Sequence, residues 1–275
     1  MAPVPDRRPH LAADILREAL ERQSAYETRK PTRMGRGAER LTAPVSGLAA
    51  RLVPPGLVRR GLAMADRAAG YGLRPDGPRH SVEDLDACER AARRVQGWAA
   101  GGNALTGGAT GLFGAAGMTA DIPATIALAA RNVRATGAAY GFDGDDAEER
   151  AYRLLILQVA TAEAGPARAE TLASLSGMAE WLASPEGRVV LDRGGRWLTD
   201  KVIDRIARQL GFSLAGRGAG RAVPVMGGAV AAMVNASFQT DVSRAARYGY
   251  RMRWLMNRRL LEGPAEVHAD PADRL

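Results

Sequence analysis

Two carboxylates, Asp121 and Asp241, are the acidic side chains whose surroundings suggest a chemical role. Asp121 directly follows an uncharged run of 26 residues, and Asp241 directly follows a second uncharged run of 19. At helical spacing Asp241 shares a stripe with apolar residues, and a carboxylate on an apolar seam needs a positive partner. We therefore expect Asp241 to pair with an arginine, with Arg131 or Arg134 favoured.

With Asn235 added, five residues form the candidate functional pocket: Asp121, Arg131, Arg134, Asn235 and Asp241. A structural role is favoured over catalysis for both acids. Asp121, with Pro123 two residues later, is typical of a helix N-cap. Charges that are paired inside a protein also occur in purely structural networks. No catalytic residue is therefore assigned.

The segment Asp145-Asp146-Ala147-Glu148-Glu149 resembles the Asp-Asp-x-x-Glu motif of class I terpene synthases, and Arg247-Tyr248 resembles their C-terminal pair. Carboxylates clustered in this way could hold Mg²⁺ on a diphosphate. However, only 5% of the residues are aromatic, and the second metal motif, at Asn235, Gln239 and Ser243, lacks its acidic final member. A capping box at a helix start is the favoured explanation.

Other site chemistries find no support in the residue pattern. The sequence contains no Glu-x-x-His pair of the di-iron type and no P-loop lysine after its glycines. Its three histidines, at positions 10, 80 and 268, are far apart in sequence, and Cys88 is the only cysteine. We therefore predict no metal and no cofactor, and the single cysteine fits a reducing compartment.

Apolar residues recur at helical spacing throughout the chain, and no alternating strand pattern of any length occurs. The sequence therefore predicts an all-α fold. The predicted helices are Leu11–Tyr26, one that opens at the Ser81/Asp84 capping box, Ile122–Tyr140 ended by Gly141, one from Asp145 to Gly165, Ala167–Leu182, Gly195–Leu210, and a long C-terminal helix from Pro224 to Leu261.

Two runs of small residues interrupt the charge pattern, Val95–Ala120 and Ala222–Thr240. Glycines within a helix in water cost about 1 kcal/mol each relative to alanine. A helix with so many glycines needs compensation from a very close neighbour or from lipid. We predict that the two runs form close-packed helices of the bundle that contact each other, with burial in a soluble core favoured over insertion into lipid.

Several segments of the chain resemble the EcsC family. They are Gly107 to Pro123, Arg131 to Asp143, Pro224 to Val230, Asn235 to Phe238, and Ala245 to Tyr248. The resemblance covers residues 80–262. It implies a mostly helical bacterial protein with no established reaction, working at or near a membrane, because the family is named after an operon that also encodes an ABC transporter.

The net charge of +8 favours anionic partners through long-range attraction. Thirty-six of the 38 basic residues are arginines in an Ala- and Gly-rich chain, which also indicates a compositional origin. No recognition motif accompanies the charge, so nucleic-acid binding ranks last. The first residues lack the apolar core of a secretion signal, which predicts a cytoplasmic location, peripheral at the membrane.

The sequence thus predicts three regions: an Arg- and Pro-rich, partly disordered arm at 1–45, an EcsC-like helical domain at 46–262, and a disordered tail at 263–275. The favoured function is non-enzymatic binding at a membrane or membrane complex. The alternative is an enzyme that acts on a lipid or isoprenoid diphosphate through the acidic residues of the bundle. The pattern leaves the oligomeric state open.

Overall fold

A computed structural model of the chain describes residues 13–28, 79–111, 114–162, 165–184 and 227–261. Within these ranges every regular element is a helix, as the all-α prediction requires. The helices are α1 (Ala13–Glu27), α2 (Leu85–Gly111), α3 (Gly114–Ala139), α4 (Ala147–Thr161), α5 (Pro166–Ala183) and α6 (Gly227–Asn257). The predicted helix at 195–210 and most of the arm and tail lie outside the described residues.

Helix α6 is the central element, because each of the other five helices packs against it. Its second half is buried on nearly every side, and Tyr250, Trp254 and Leu255 there have no exposed surface. Further buried apolar side chains come from α4 and α5, such as Ile156 and Leu175. The prediction of a long C-terminal helix within a helical bundle is therefore confirmed.

The helices that carry the two small-residue runs, α2 and α6, make the most extensive contact in the bundle. They are antiparallel, since Glu89 near the start of α2 binds Arg251 near the end of α6, and Gln96 binds Arg247 one turn earlier. The glycine-rich end of α2 therefore lies beside the first half of α6. The two helices that carry the runs thus contact each other, and contact between the runs themselves stays a prediction.

Aspartates begin two of the helices. The Asp84 carboxylate accepts hydrogen bonds from the N–H groups of Asp86 (2.9 Å) and Ala87 (3.2 Å). The Asp146 carboxylate accepts one from the N–H of Glu149 (2.7 Å). Such caps satisfy backbone donors that have no partner within the helix. The N-cap of α2 is thus Asp84 rather than Ser81, and the capping prediction for α4 is confirmed.

The prediction that Asp121 caps a helix is wrong. Helix α3 begins at Gly114 and continues through Asp121 and Pro123 to Ala139. A proline within a helix removes one backbone hydrogen bond and is tolerated when packing holds the helix together. The Asp-x-Pro pattern describes local preference only, and the contacts of α3 with α2 and α6 outweigh it.

Two of the helices end in the same Schellman geometry. In α3 the N–H of Phe142 bonds to the carbonyl of Gly137 (2.9 Å), and Gly141 adopts φ +85°. In α6 the N–H of Leu260 bonds to the carbonyl of Leu255 (2.9 Å) around Arg259, at φ +55°. Glycine adopts positive φ without a steric penalty. The predicted stop at Gly141 is therefore confirmed.

Candidate functional site

The three predicted pocket residues whose side chains the structure describes each have a different partner. Asp241 is 19% exposed in its side chain and lies 3.6 Å from Arg244, one turn along α6. The Arg131 guanidinium lies 5.1 Å from the centre of the Trp98 ring, and Arg134 donates to Asp145 at 3.2 Å. The prediction of an arginine partner for Asp241 is confirmed, but the choice of Arg131 or Arg134 is wrong.

Asp121 and Asn235 belong to α3 and α6, and their side chains lie outside the described residues. A pocket that includes them therefore stays a prediction.

Asp241 pairs with an arginine of its own helix for a simple physical reason. Arg244, three residues away on the same helix, reaches the carboxylate without any tertiary contact, whereas the arginines of α3 are held by partners on α2 and in the loop before α4.

The structure instead builds its main charged cluster around Glu89 of α2, whose side chain is 1% exposed. Arg251 Nε donates to Oε1 at 2.6 Å, Arg247 Nη2 donates to Oε2 at 3.0 Å, and the Tyr140 hydroxyl donates to Oε1 at 2.5 Å. Three helices, α2, α6 and the end of α3, thus converge on one carboxylate. We call these four residues the Glu89 cluster.

The environment of Glu89 favours its ionised form. Burial alone would raise the pKa of this carboxyl, but the charges of Arg251 and Arg247 and the hydrogen bond from Tyr140 outweigh burial and lower it to about 2. The Tyr140 hydroxyl responds in the opposite direction, since burial and the adjacent Glu89 charge raise its pKa well above the ordinary value. At neutral pH the cluster therefore holds one carboxylate, two guanidinium groups and a neutral phenol.

The Glu89 cluster also fastens α1 to the bundle. Arg251 Nη1 donates to the side-chain oxygen of Gln23 at 3.1 Å, and the Tyr248 hydroxyl donates to Glu27 at 2.9 Å. The rings of Tyr26 and Tyr248 stack with their centres 4.5 Å apart. These polar and aromatic contacts add to the apolar packing of α1, in which Ala19 is buried in the core and Ile15 and Leu16 pack against it.

The acidic residues around the start of α4 form a second group of polar contacts. Glu149 lies 2.5 Å from Arg253, whose guanidinium also lies 4.3 Å from the centre of the Phe142 ring. Burial raises the pKa of Glu149 despite the opposing charge of Arg253. Asp146 is used as the helix cap.

Asp145 is surrounded by arginines from two helices. Arg134 lies at 3.2 Å, Arg153 at 3.4 Å and Arg150 at 3.7 Å. The three acids of the Asp-Asp-x-x-Glu segment therefore bind arginines or backbone. Among the residues that the structure describes, no group of three or more acidic, histidine or cysteine side chains is placed to hold a metal ion.

A buried network without charge joins α3 to α6. The Asn132 amide nitrogen donates to Ser243 Oγ at 2.8 Å and to Gln239 Oε1 at 3.1 Å. The Gln239 amide in turn donates to the carbonyl of Thr125 at 3.3 Å. Buried amides need such partners, so the network fixes the register of the two helices.

Sequence reasoning missed the Glu89 cluster and the Asn132 network, although both left a signal. Leu85, Cys88 and Ala92 follow at helical spacing on the face of α2 that also carries Glu89. A carboxylate on that face should have been expected to need a partner, as Asp241 was. Gln239 and Ser243, four residues apart, mark a polar stripe on α6 in the same way.

The fold and these contacts define a class of protein: an all-helical bundle whose buried carboxylates are neutralised by arginines from a central helix. Comparison with protein families then gives the particular family. The model of the EcsC protein family matches residues 19–255, and the chain belongs to this family. The match extends N-terminally beyond residue 80 to include most of α1, in keeping with the docking of α1 on α6. No curated protein and no solved structure matches the chain.

Proposed function

We propose that this EcsC-family protein is a non-enzymatic binding protein that associates peripherally with an anionic membrane surface. Its helical bundle serves as the scaffold. In the described part of the chain the buried carboxylates Glu89 and Glu149 are bound by arginines and act as links between helices. No described helix reaches the length and apolarity that a membrane-spanning segment requires.

The observation that carries the proposal is the distribution of charge. The described residues contain 17 arginines and 17 carboxylates, so the bundle itself is balanced. The excess of +8 therefore belongs to the remaining sequence, and residues 29–78 alone contain 10 basic and 3 acidic residues. A basic residue near an anionic bilayer contributes about 1 kcal/mol of attraction, which salt screens.

Flotation with lipid vesicles tests the proposal. The full-length protein should float with vesicles that contain phosphatidylglycerol, should stay behind with phosphatidylcholine alone, and should be released as salt rises. A variant that changes four arginines of residues 29–78 to glutamine should bind these vesicles at least about ten-fold more weakly, because the attraction of four positive charges to the anionic lipid is lost. The four are Arg33, Arg36, Arg59 and Arg60.

A matched control removes the same charge from exposed positions of the described bundle, by changing Arg17, Arg79, Arg150 and Arg259 to glutamine. This control should retain most of the vesicle affinity. Equal weakening by both variants would show that only net charge matters. A protein that ignores anionic vesicles but binds DNA with a steep dependence on salt would refute the proposal in favour of nucleic-acid binding.

A further inference from the structure

We infer that the exposed face of α2 is the surface with which the bundle lies on an anionic membrane, so that its arginines bind lipid phosphates and Trp98 enters the headgroup layer. The inference rests on the proposed function and names the part of the bundle that contacts lipid. We call this surface the α2 face. It consists of five exposed residues: Arg90, Arg93, Arg94, Gly97 and Trp98.

The α2 face is a continuous stripe along one side of the helix. Its members follow Arg90 at intervals of three, four, seven and eight positions, and residues with this spacing lie on the same side of a helix. At 1.5 Å per residue the stripe is about 12 Å long. Cys88, Ala92 and Ala99, on the other side of the same helix segment, are buried. One side of this segment therefore packs into the core while the α2 face lies toward the solvent.

The positive charges of the α2 face are only partly neutralised. Arg90 lies 3.7 Å from Asp84 and 4.0 Å from Asp86, and these distances are long for an ion pair. Within the described part of the chain, neither Arg93 nor Arg94 is bound to a carboxylate. At least two guanidinium groups on this face are therefore available to an external anion.

The exposed faces of α1 and α5 differ in charge from the α2 face. On α1, Arg17 is paired with Asp14 at 2.6 Å, less than one turn away. On α5 the exposed charged side chains in the described range are the carboxylates Glu170 and Glu180. A negatively charged surface therefore attracts the α2 face and repels the exposed face of α5, which gives the bundle a preferred orientation on that surface.

Trp98 indicates that the anionic partner is a lipid surface. It is 49% exposed, the most exposed large hydrophobic residue of the described chain, and the Arg131 guanidinium lies 5.1 Å from the centre of its ring. Tryptophan concentrates at the level of lipid headgroups, because its ring is apolar and its N–H is polar. Arginines beside it add attraction to anionic lipids.

The same charges disfavour a second copy of the chain as the partner. In a symmetric dimer the α2 face would meet an identical surface. Arg93 and Arg94 would then approach the same arginines of the other copy, and like charges repel each other across an interface. An anionic lipid surface therefore fits the α2 face better than the α2 face of another copy.

An environment-sensitive NBD label tests the placement in the full-length protein. Gly97 lies within the α2 face and Gly177 on the exposed face of α5, and a Cβ at either position would have no atom within 4 Å. Gly97→Cys and Gly177→Cys are therefore matched sites for the label, and the buried Cys88 does not compete for it. With phosphatidylglycerol vesicles the label at 97 should become about two-fold brighter, and a spin label on the lipid headgroup should quench it more than one deep in the acyl chain. The label at 177 should not change.

Substitutions test the arginines and the tryptophan separately. The double variant Arg93→Gln/Arg94→Gln should lower the vesicle partition coefficient about ten-fold, because two charges that attract anionic lipid are lost. The matched control Arg17→Gln/Arg150→Gln removes the same charge from exposed positions on α1 and α4 and should lower it less than about three-fold. Trp98→Ala should lower it about five-fold and leave its dependence on salt unchanged, because the indole carries no charge. Circular dichroism checks that each variant keeps the helical fold.

The outcomes separate the α2 face from the proposed function. A protein that floats while the label at 97 stays in water would overturn the inference and leave the proposed function standing. Equal losses of binding in the two double variants would also overturn it, because net charge would then explain the binding. Failure to float at all would refute both. A change at 97 caused by single-stranded DNA without vesicles, or by concentrated protein alone, would overturn the inference in favour of nucleic acid or of self-association.

Discussion

Replacement of Glu89 by glutamine should destabilise the bundle by about 3 kcal/mol at neutral pH. The change removes the counter-charge of Arg251, which is 4% exposed, and of Arg247, and leaves two buried guanidinium groups without an acid. Removal of one partner from a buried ion pair costs about 3–5 kcal/mol. The lowered pKa of Glu89, which the same arginines cause, leads to a similar magnitude, because about 2 in place of 4.5 corresponds to about 3 kcal/mol of stabilisation.

The dependence of this effect on pH has a definite sign. The pKa of Glu89 is lower in the folded state than in the unfolded state, so its stabilisation is complete above about 4.5 and is lost as the pH falls toward 2. Wild type and Glu89→Gln should therefore differ most in free energy of unfolding at pH 7, and the difference should shrink steadily in more acidic buffers. Urea denaturation followed by circular dichroism at several pH values measures both quantities.

Glu83→Gln is the matched control for the Glu89 substitution. Glu83 also binds an arginine, Arg258 at 2.9 Å, but its side chain is 70% exposed. An exposed pair contributes at most about 1 kcal/mol. A loss below 1 kcal/mol for Glu89→Gln, or a loss that stays constant between pH 7 and pH 3, would refute the reasoning. Should Glu89→Gln fail to fold, Tyr140→Phe removes one hydrogen bond to the same carboxylate and should cost about 1.5–3 kcal/mol.

Further predictions concern a close helix contact and the second ion pair. Gly137→Ala should destabilise the protein by about 1–3 kcal/mol, because the new Cβ would lie 2.6 Å from Cζ of Tyr250. Gly177→Ala, whose Cβ would have no atom within 4 Å, should stabilise the protein by up to about 1 kcal/mol. Thermal unfolding compares the two variants. Glu149→Gln should show the opposite pH trend to Glu89→Gln, because burial raises the pKa of Glu149. The free energy of unfolding of wild type relative to this variant should therefore fall as the pH rises above about 4.5. The same urea titrations measure it, and parallel trends for the two acids would contradict the assignment.

Local sequence rules predict the ends of helices well where the contacts that end the helix involve only neighbouring residues. Asp146 and Gly141 act at the ends of their helices as their residue types require, because a cap hydrogen bond or a positive φ involves only a few neighbouring residues. Asp121 shows the limit of such rules. The Asp-x-Pro pattern favours a helix start, but the packing of α3 between α2 and α6 continues the helix through it.

The charged cluster depends on contacts that no local pattern contains. Glu89 and Arg251 are 162 positions apart, and their meeting follows from the antiparallel register of α2 and α6. The buried amides and the close approach of Gly137 to Tyr250 hold α6 against α3, so the position of α6 beside α2 depends on the packing of the whole bundle. The sequence reveals that Glu89 lies on a buried face, but four arginines of α6 are available as partners, and only the three-dimensional fold selects among them.

The central position of α6 has a consequence for synthesis on the ribosome. This helix follows the other five in the chain, so α1 to α5 emerge before the element against which all of them pack. At about 5–20 residues per second, about 7–30 s separate the completion of α2 from that of α6. Throughout this interval Glu89 has no arginine from α6, and the early helices lack the helix against which all of them pack. Among the described helices, the packing around α6 can therefore be completed only when residues up to 257 have emerged.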